Sequence, residues 1–247
     1  MDVNARQGQS RRRHRWTALA VATAGCMAWA VPLCASAQPE PASPCGSVFN
    51  QGAGNGPYDY YTDRKFVAQI EGNHFQPQVE ALVGGVSGPI GAELDFVLRS
   101  VPNHPKVLLT LIRYGEKLKW VRAPGLRFSY ECYFDRALRF RPNDALVRMI
   151  YATYLNKLSR TPEALHQLAY AADLAKEDGF AQYNVGLIYF EMRHYDLALI
   201  QAHKALALSF PKTALRDSLK SVGKWKEPEP TPGDALPSEL GESAPSR

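Results

Sequence analysis

The chain has 247 residues, long enough for one medium domain or for a small domain followed by a repeat array. Its formal net charge of +5 comes mainly from residues 1–37, which hold five Arg and one Asp; the rest of the chain has 24 basic and 23 acidic residues, a net charge of +1. Without a long basic stripe, the remainder gives no electrostatic reason to expect a nucleic-acid partner.

Residues 1–37 have the organisation of a secretory signal. A basic start, RRRHRW, precedes the 15-residue apolar run TALAVATAGCMAWAV, and the small residues ASA at 35–37 form a cleavage site. The alternative is an uncleaved membrane anchor, but the run is shorter than the roughly 20 apolar residues of a spanning helix and ends at Pro32. We therefore expect an exported chain that begins at Gln38, is periplasmic or secreted, and has no membrane span after signal cleavage.

Residues 38–90 are predicted to form an N-terminal head of loops and short helices. Helical spacing occurs near Phe66–Glu71 and Val79–Val83. The stretch GAGNGP lacks the spacing of a dinucleotide-binding loop. In GPYDYY, Asp59 lies among three tyrosines, which suits a sugar-binding or acid site; with no second carboxylate at a readable spacing, we prefer a packing or capping role.

Two cysteines remain after removal of the signal, Cys45 and Cys132. An even pair in an oxidising compartment predicts a disulfide. The alternative is two unrelated thiols, with Cys132 buried in a helix and Cys45 exposed to solvent. We prefer the disulfide because an exposed thiol outside the cytoplasm is open to oxidation.

One stretch of the chain occurs twice. LRSVPNHPKV at 98–107 and LRFRPNDALV at 138–147 agree at five of ten positions. We interpret VPNH and RPND as junctions where proline ends one helix and a polar residue caps the next. The stretch KLKWVRAPGL at 117–126 is predicted to be a lengthened turn between them.

Further along, alanines recur with a period of about 34 residues, as Ala137, Ala171 and Ala205, and as Ala164 and Ala198. Each block of this length contains two stretches with apolar residues at helical spacing. The sequence therefore predicts an all-α fold in which residues 91–212 form antiparallel helix pairs, one partial and three more or less complete.

Two segments follow the repeats. Residues 213–225 predict a capping helix whose one face carries Leu215, Leu219 and Val222. Residues 226–247 are rich in Pro, Ser and Glu and predict a disordered tail, because they cannot bury enough apolar surface to offset the cost of ordering.

The residues of the last block resemble the signature of the tetratricopeptide repeat (TPR) family. The resemblance rests on Gly186, Tyr189, Ala198 and Ala205, followed by Pro211. It implies a helix-pair solenoid in which small residues let helices approach closely, so we expect Gly186 to pack near Ala198 or Ala202. The full set of structural repeat residues is Ala137, Ala164, Ala171, Gly186, Tyr189, Ala198 and Ala205. GPYDYY and DFVLRSVPNH also resemble exported proteobacterial TPR-containing proteins of no assigned activity, a likeness that brings no mechanism.

No pattern in the chain points to catalysis. There is no phosphate-binding loop and no Cys-x-x-Cys or His-Glu-x-x-His spacing, and the histidines are scattered. We expect no catalytic residue, no metal, no cofactor and no enzymatic activity.

The resemblance implies a concave groove that binds a partner, here an unidentified envelope protein or peptide. Val185, Ile188, Tyr189 and Met192 form one apolar stripe, assigned to packing. A second apolar stripe on another face of the same helix is predicted to bind the partner, and it consists of Phe180, Tyr183, Leu187 and Phe190. Leu146 and Met149 occupy the matching positions one unit earlier and are predicted to bind the partner as well.

Two alternatives stay open at this point. The head segment or the capping helix could cover the second stripe, since large bare apolar patches are rare on soluble monomers. The head could also be a glycan-binding or hydrolytic module that the repeats merely recruit.

Overall fold

The computed structural model describes residues 43–49 and 56–228, and these ranges contain ten α-helices and no strand. The all-α prediction is therefore confirmed for this part of the chain. The predicted signal and residues 229–247 of the predicted tail lie outside the described residues. In chain order the helices are α1 Arg64–His74, α2 Pro77–Glu80, α3 Ile90–Ser100, α4 Pro105–Lys117, α5 Tyr130–Phe140, α6 Ala145–Lys157, α7 Thr161–Leu174, α8 Gly179–Glu191, α9 Tyr195–Ala207 and α10 Ala214–Ser221.

The most extensive helix contacts join α6 to α7 and α8 to α9. Each pair is connected by only three residues, so the second helix folds back along the first. The even-numbered helices from α4 to α10 also contact one another in succession. Small side chains make the pairs close, because Ala164, Ala171, Ala198 and Ala205 are all buried.

The repeat period of the sequence recurs in the backbone. Ser159 and Arg193, one period apart, both adopt left-handed φ angles, of 59° and 62°, in the turns within the two pairs. Asp144 and Asp178, also one period apart, are the N-caps of α6 and α8, and each carboxylate accepts a hydrogen bond from an amide in the first turn. Equivalent residues therefore have equivalent local structure.

The two copies of the repeated stretch form the junctions between α3 and α4 and between α5 and α6. His104 caps α4 and Asp144 caps α6. The long turn predicted at residues 117–126 corresponds to the α4–α5 connection, residues 118–129, which is anchored by Trp120, whose ring contacts Tyr130 and Tyr154 edge-on. Gly115 makes room for that ring, since a Cβ there would lie 2.3 Å from it.

The head is attached to the helices at two places. Helix α1 packs on α3, and the Cys45–Cys132 disulfide, with an S–S distance of 2.06 Å, confirms the predicted pairing. Residues 43–49 lie along α5, where the buried Arg136 donates from Nη1 to the carbonyls of Cys45 and Ser47. The predicted helix at 66–71 lies within α1.

The carboxyl-terminal helix closes the last pair. Helix α10 contacts both α8 and α9, and it buries Leu215 and Leu219. Val222, placed on the same face by the sequence pattern, lies beyond the last residue of the helix and is exposed. Among the described residues, no helix is long and apolar enough to cross a membrane.

Candidate partner-binding groove

An apolar depression lies between the first turns of α6 and α8. It has a volume of about 660 Å³, and Leu146, Met149 and Phe180 line it together with Ala145, Ala175 and Ala181. Tyr61 from the head closes one end. This volume lies within the range of sites that bind small molecules or single side-chain clusters of a peptide.

The repeat period explains why these side chains meet. Leu146 and Phe180 are equivalent residues in the first turns of α6 and α8, and both remain accessible, at 36% and 57% exposure. Met149 follows Leu146 by one turn and forms part of the floor, at 5% exposure. The first helices of the two pairs, α6 and α8, thus present equivalent positions to the same groove.

The residues of the second predicted stripe do not all lie in this groove. Tyr183 is only 7% exposed and packs against Phe210, with ring centroids 5.1 Å apart, in a small space also lined by Leu215 of α10. Phe190 contacts Tyr195 at the start of α9, and Leu187 is half-buried against the core. Of the six residues predicted to bind a partner, the groove therefore brings together three: Leu146, Met149 and Phe180.

The GPYDYY segment runs across both copies of the repeated junction. At the first, the backbone N–H of Tyr58 donates to the carbonyl of Ser100 (2.8 Å), and that of Tyr60 donates to Asn103 Oδ1 (3.0 Å). At the second, the hydroxyl of Tyr61 donates to Asp144 Oδ1 (3.3 Å). The repeated sequence therefore creates two adjacent docking points for one segment of the head.

The junctions also contact each other directly. Asn103 Nδ2 donates to Asp144 Oδ2 (3.2 Å), while Asp144 Oδ1 accepts from the amide of Val147 as well as from Tyr61. The Asp144 carboxylate is consequently engaged on both oxygens. Burial, followed by the neighbouring Asp144 charge, raises the pKa of Tyr61, so this phenol stays protonated and serves as a donor.

Asp59 has a structural role at this crossing. Its Oδ1 accepts from the amides of Tyr61 and Thr62, which shapes the turn, and its Oδ2 lies 2.7 Å from Nε of Arg141. Asp59 is buried, and its Oδ2 has the charge of Arg141 beside it but no hydrogen bond. The packing or capping role preferred over an acid site stays a prediction.

The polar rim of the groove carries more negative than positive charge. Asp144 and the exposed Asp178 both line it, and the single rim cation, Arg141, already faces Asp59. Asp178 Oδ1 accepts from the amide of Ala181. Sequence reasoning did not assign Tyr61, Arg141 or Asp178 to the site, although the helix-capping pattern did mark the RPND junction on which Arg141 lies.

Within residues 43–49 and 56–228, no group of three or more His, Cys, Asp or Glu side chains could hold a metal ion. Comparison of the chain with models of known protein families finds no match, and comparison with curated proteins finds none either.

Proposed function

We propose that this chain is an exported, non-enzymatic scaffold of TPR-like helix pairs that binds a segment of a partner protein or peptide. The observation that carries the proposal is the groove in which the equivalent residues Leu146 and Phe180 remain accessible beside Met149. Accessible apolar side chains at the same position of successive units are what a repeat protein uses to bind an extended partner.

The arrangement of the helices supports a TPR-like solenoid. Paired helices of matched length, N-caps one repeat period apart, and successive contact among α4, α6, α8 and α10 are the features that such a stack requires. Export is supported by the signal-like start of the sequence and by the Cys45–Cys132 disulfide, since disulfides persist in oxidising compartments.

The charge around the groove defines the chemistry of the partner. Apolar walls favour aliphatic or aromatic side chains, and the carboxylates of Asp144 and Asp178 favour a neighbouring cation. The Asp178 carboxylate is the more available of the two, because it is exposed and Asp144 is buried. The proposed ligand is therefore a peptide segment with Leu, Met or Phe next to Lys or Arg.

Selection of displayed random peptides on the exported chain tests this function. The enriched peptides should combine apolar and basic residues, and a Leu146→Ala, Phe180→Ala double variant should weaken their binding at least tenfold. A matched control is Ile200→Ala with Val121→Ala, which removes exposed apolar side chains outside the groove and should leave binding unchanged.

A second variant tests the charge separately. Asp178→Asn keeps a side chain that can cap α8, yet it removes the exposed carboxylate, so it should weaken binding of basic peptides and reduce its salt dependence. If no peptide is enriched, or if the groove variant binds as the parent does, the proposed function is wrong.

A further inference from the structure

A second cavity, of about 260 Å³, lies on the head between α1 and α3, away from the partner groove. Three aromatic rings line it, those of Tyr58, Phe66 and Phe96. Its polar lining consists of Gln69, Asn73 and His74. Gln69 and Asn73 follow Phe66 by three and seven residues, so the three side chains occupy one face of α1.

The aromatic walls are held in place by stacking. The ring of Tyr58 stacks on that of Phe66, with centroids 4.6 Å apart and an interplanar angle of 7°. The ring of Phe96 lies 4.0 Å from that of His74. The backbone of Tyr58 is itself fixed to Ser100, so this wall belongs to the same segment that crosses the junctions.

A buried carboxylate orients His74. Glu93 Oε2 lies 2.7 Å from His74 Nδ1, and Glu93 Oε1 accepts from the amides of Val86, Ser87 and Gly88. Burial alone would raise the pKa of Glu93, but the hydrogen bonds from Ser87, His74 and Val86 outweigh it, and the pKa lies below its usual value. Because an ionised carboxylate only accepts, Nδ1 of His74 must carry the proton.

We propose that this cavity binds one ring of a neutral sugar. Side-chain amides offer both donors and acceptors, as hydroxyl groups require, and aromatic rings pack against the C–H faces of a pyranose. An anionic ligand would need a cation, but none of the lining residues is Lys or Arg, and the lining His74 already faces the carboxylate of Glu93. A purely apolar ligand would cover the amides of Gln69 and Asn73 without hydrogen bonds, at a cost in free energy.

The size of the cavity supports a single ring. Pockets for drug-sized molecules measure about 300–1,000 Å³, so 260 Å³ fits one small ring with its neighbours in solvent. The proposal does not depend on the partner groove, because the two cavities share no lining residue.

Titration of the isotope-labelled chain with N,N′-diacetylchitobiose and with cellobiose tests the proposal by NMR. At least one disaccharide should shift the side-chain amide signals of Gln69 and Asn73 at concentrations up to about 10 mM, in the range of weak single-site binding. Gln69→Ala, a change at an exposed helical position that keeps the fold, should lower the affinity severalfold, and Phe96→Ala should abolish binding.

Two controls separate this site from the rest of the molecule. Tyr170→Ala removes an exposed ring on α7 and should bind sugar as the parent does, as should the Leu146→Ala, Phe180→Ala variant. Absence of any shift with both disaccharides, or binding that survives in both Gln69→Ala and Phe96→Ala, would overturn the proposal.

Discussion

His104 is fully buried and also caps a helix, α4. Its Nδ1 accepts from the amide of Val107, so Nε2 carries the proton and donates to Glu71 Oε1 at 2.9 Å. Burial lowers its pKa to about 4, although the charge of Glu71 opposes the shift. The head helix α1 is thereby joined to the first junction through a neutral imidazole.

This geometry predicts that the protein loses stability in mild acid. The pKa of His104 is about 4 in the folded state and about 6.5 in the unfolded chain, so between these values the unfolded state binds more protons. The free energy of unfolding is therefore fully retained above pH 6.5 and falls as the pH drops towards 4, by up to about 3 kcal/mol.

Denaturant unfolding at a series of pH values from 7 to about 4.5 measures this loss, in a window above the titration of most carboxylates. His104→Asn keeps a side-chain acceptor at the cap and removes the titrating group, so its stability should change much less over the same window. Equal slopes for parent and variant would show that His104 is not responsible.

At the scale of helices, Gly186 determines how closely α8 approaches its neighbours. A Cβ at this position would lie 2.5 Å from Leu215 Cδ2 of α10 and 3.1 Å from Gln201 Cβ of α9, with the carbonyl of Ala198 at 3.5 Å. Two helices thus meet α8 at a single glycine, and Leu215 has no room to move because it is buried.

Gly186→Ala should therefore reduce the free energy of unfolding by about 1–3 kcal/mol, because the added methyl group forces α9 or α10 outwards. The matched control is Gly72→Ala in α1, where a Cβ meets nothing within 4 Å, and which should gain up to about 1 kcal/mol from helix propensity. The melting temperatures of both variants, compared with that of the parent, test this prediction. A Gly186→Ala protein that melts at the temperature of the parent would contradict the tight packing at this glycine.

The helices themselves could be predicted from the sequence, whereas the long-range contacts between them could not. The repeat period, Pro at helix starts and Asp144 at a cap are local signals, and they predict α6 to α9 well. In contrast, Phe180 and Tyr183 have the same character and similar places in the pattern. Phe210 contacts both rings, but Tyr183 also lies beside Ala202 of α9 and Leu215 of α10 and is buried, whereas Phe180 stays 57% exposed.

The same limit applies to the head. Arg136 belongs to a helix whose pattern allows a solvated cation, yet it is buried because residues 43–49 lie over it from a distant part of the sequence. No local pattern in the sequence predicts such a contact. The pair Cys45 and Cys132 was the exception, since the chemistry of an oxidising compartment, rather than periodicity, predicted that they would meet.

At the scale of the whole molecule, the disulfide joins cysteines at a sequence separation of 87, and the loop that it closes contains most of the head and the first four helices. In the chain-entropy model, a loop of this length contributes up to about 4 kcal/mol by restricting the unfolded chain. Reductant should lower the melting temperature of the parent accordingly. A Cys45→Ala, Cys132→Ala variant should start from the lower value and be insensitive to reductant.

Mass spectrometry of the unreduced protein provides the direct measurement for this prediction. A mass consistent with the loss of two hydrogens, and no thiol available for alkylation, is the expected result. Two free thiols per chain would contradict it.

The path of the GPYDYY segment also determines where an additional helix pair could be inserted without breaking the contacts of the head. The partners of Tyr58 and Tyr61 lie on successive junctions, and the hydrogen bond between Asn103 and Asp144 fixes the gap between those junctions. A helix pair duplicated between them would carry one set of partners out of reach, whereas a pair duplicated after α9 would leave every one of these bonds intact. Of these two insertions, only the one after α9 is therefore compatible with the observed contacts of the head.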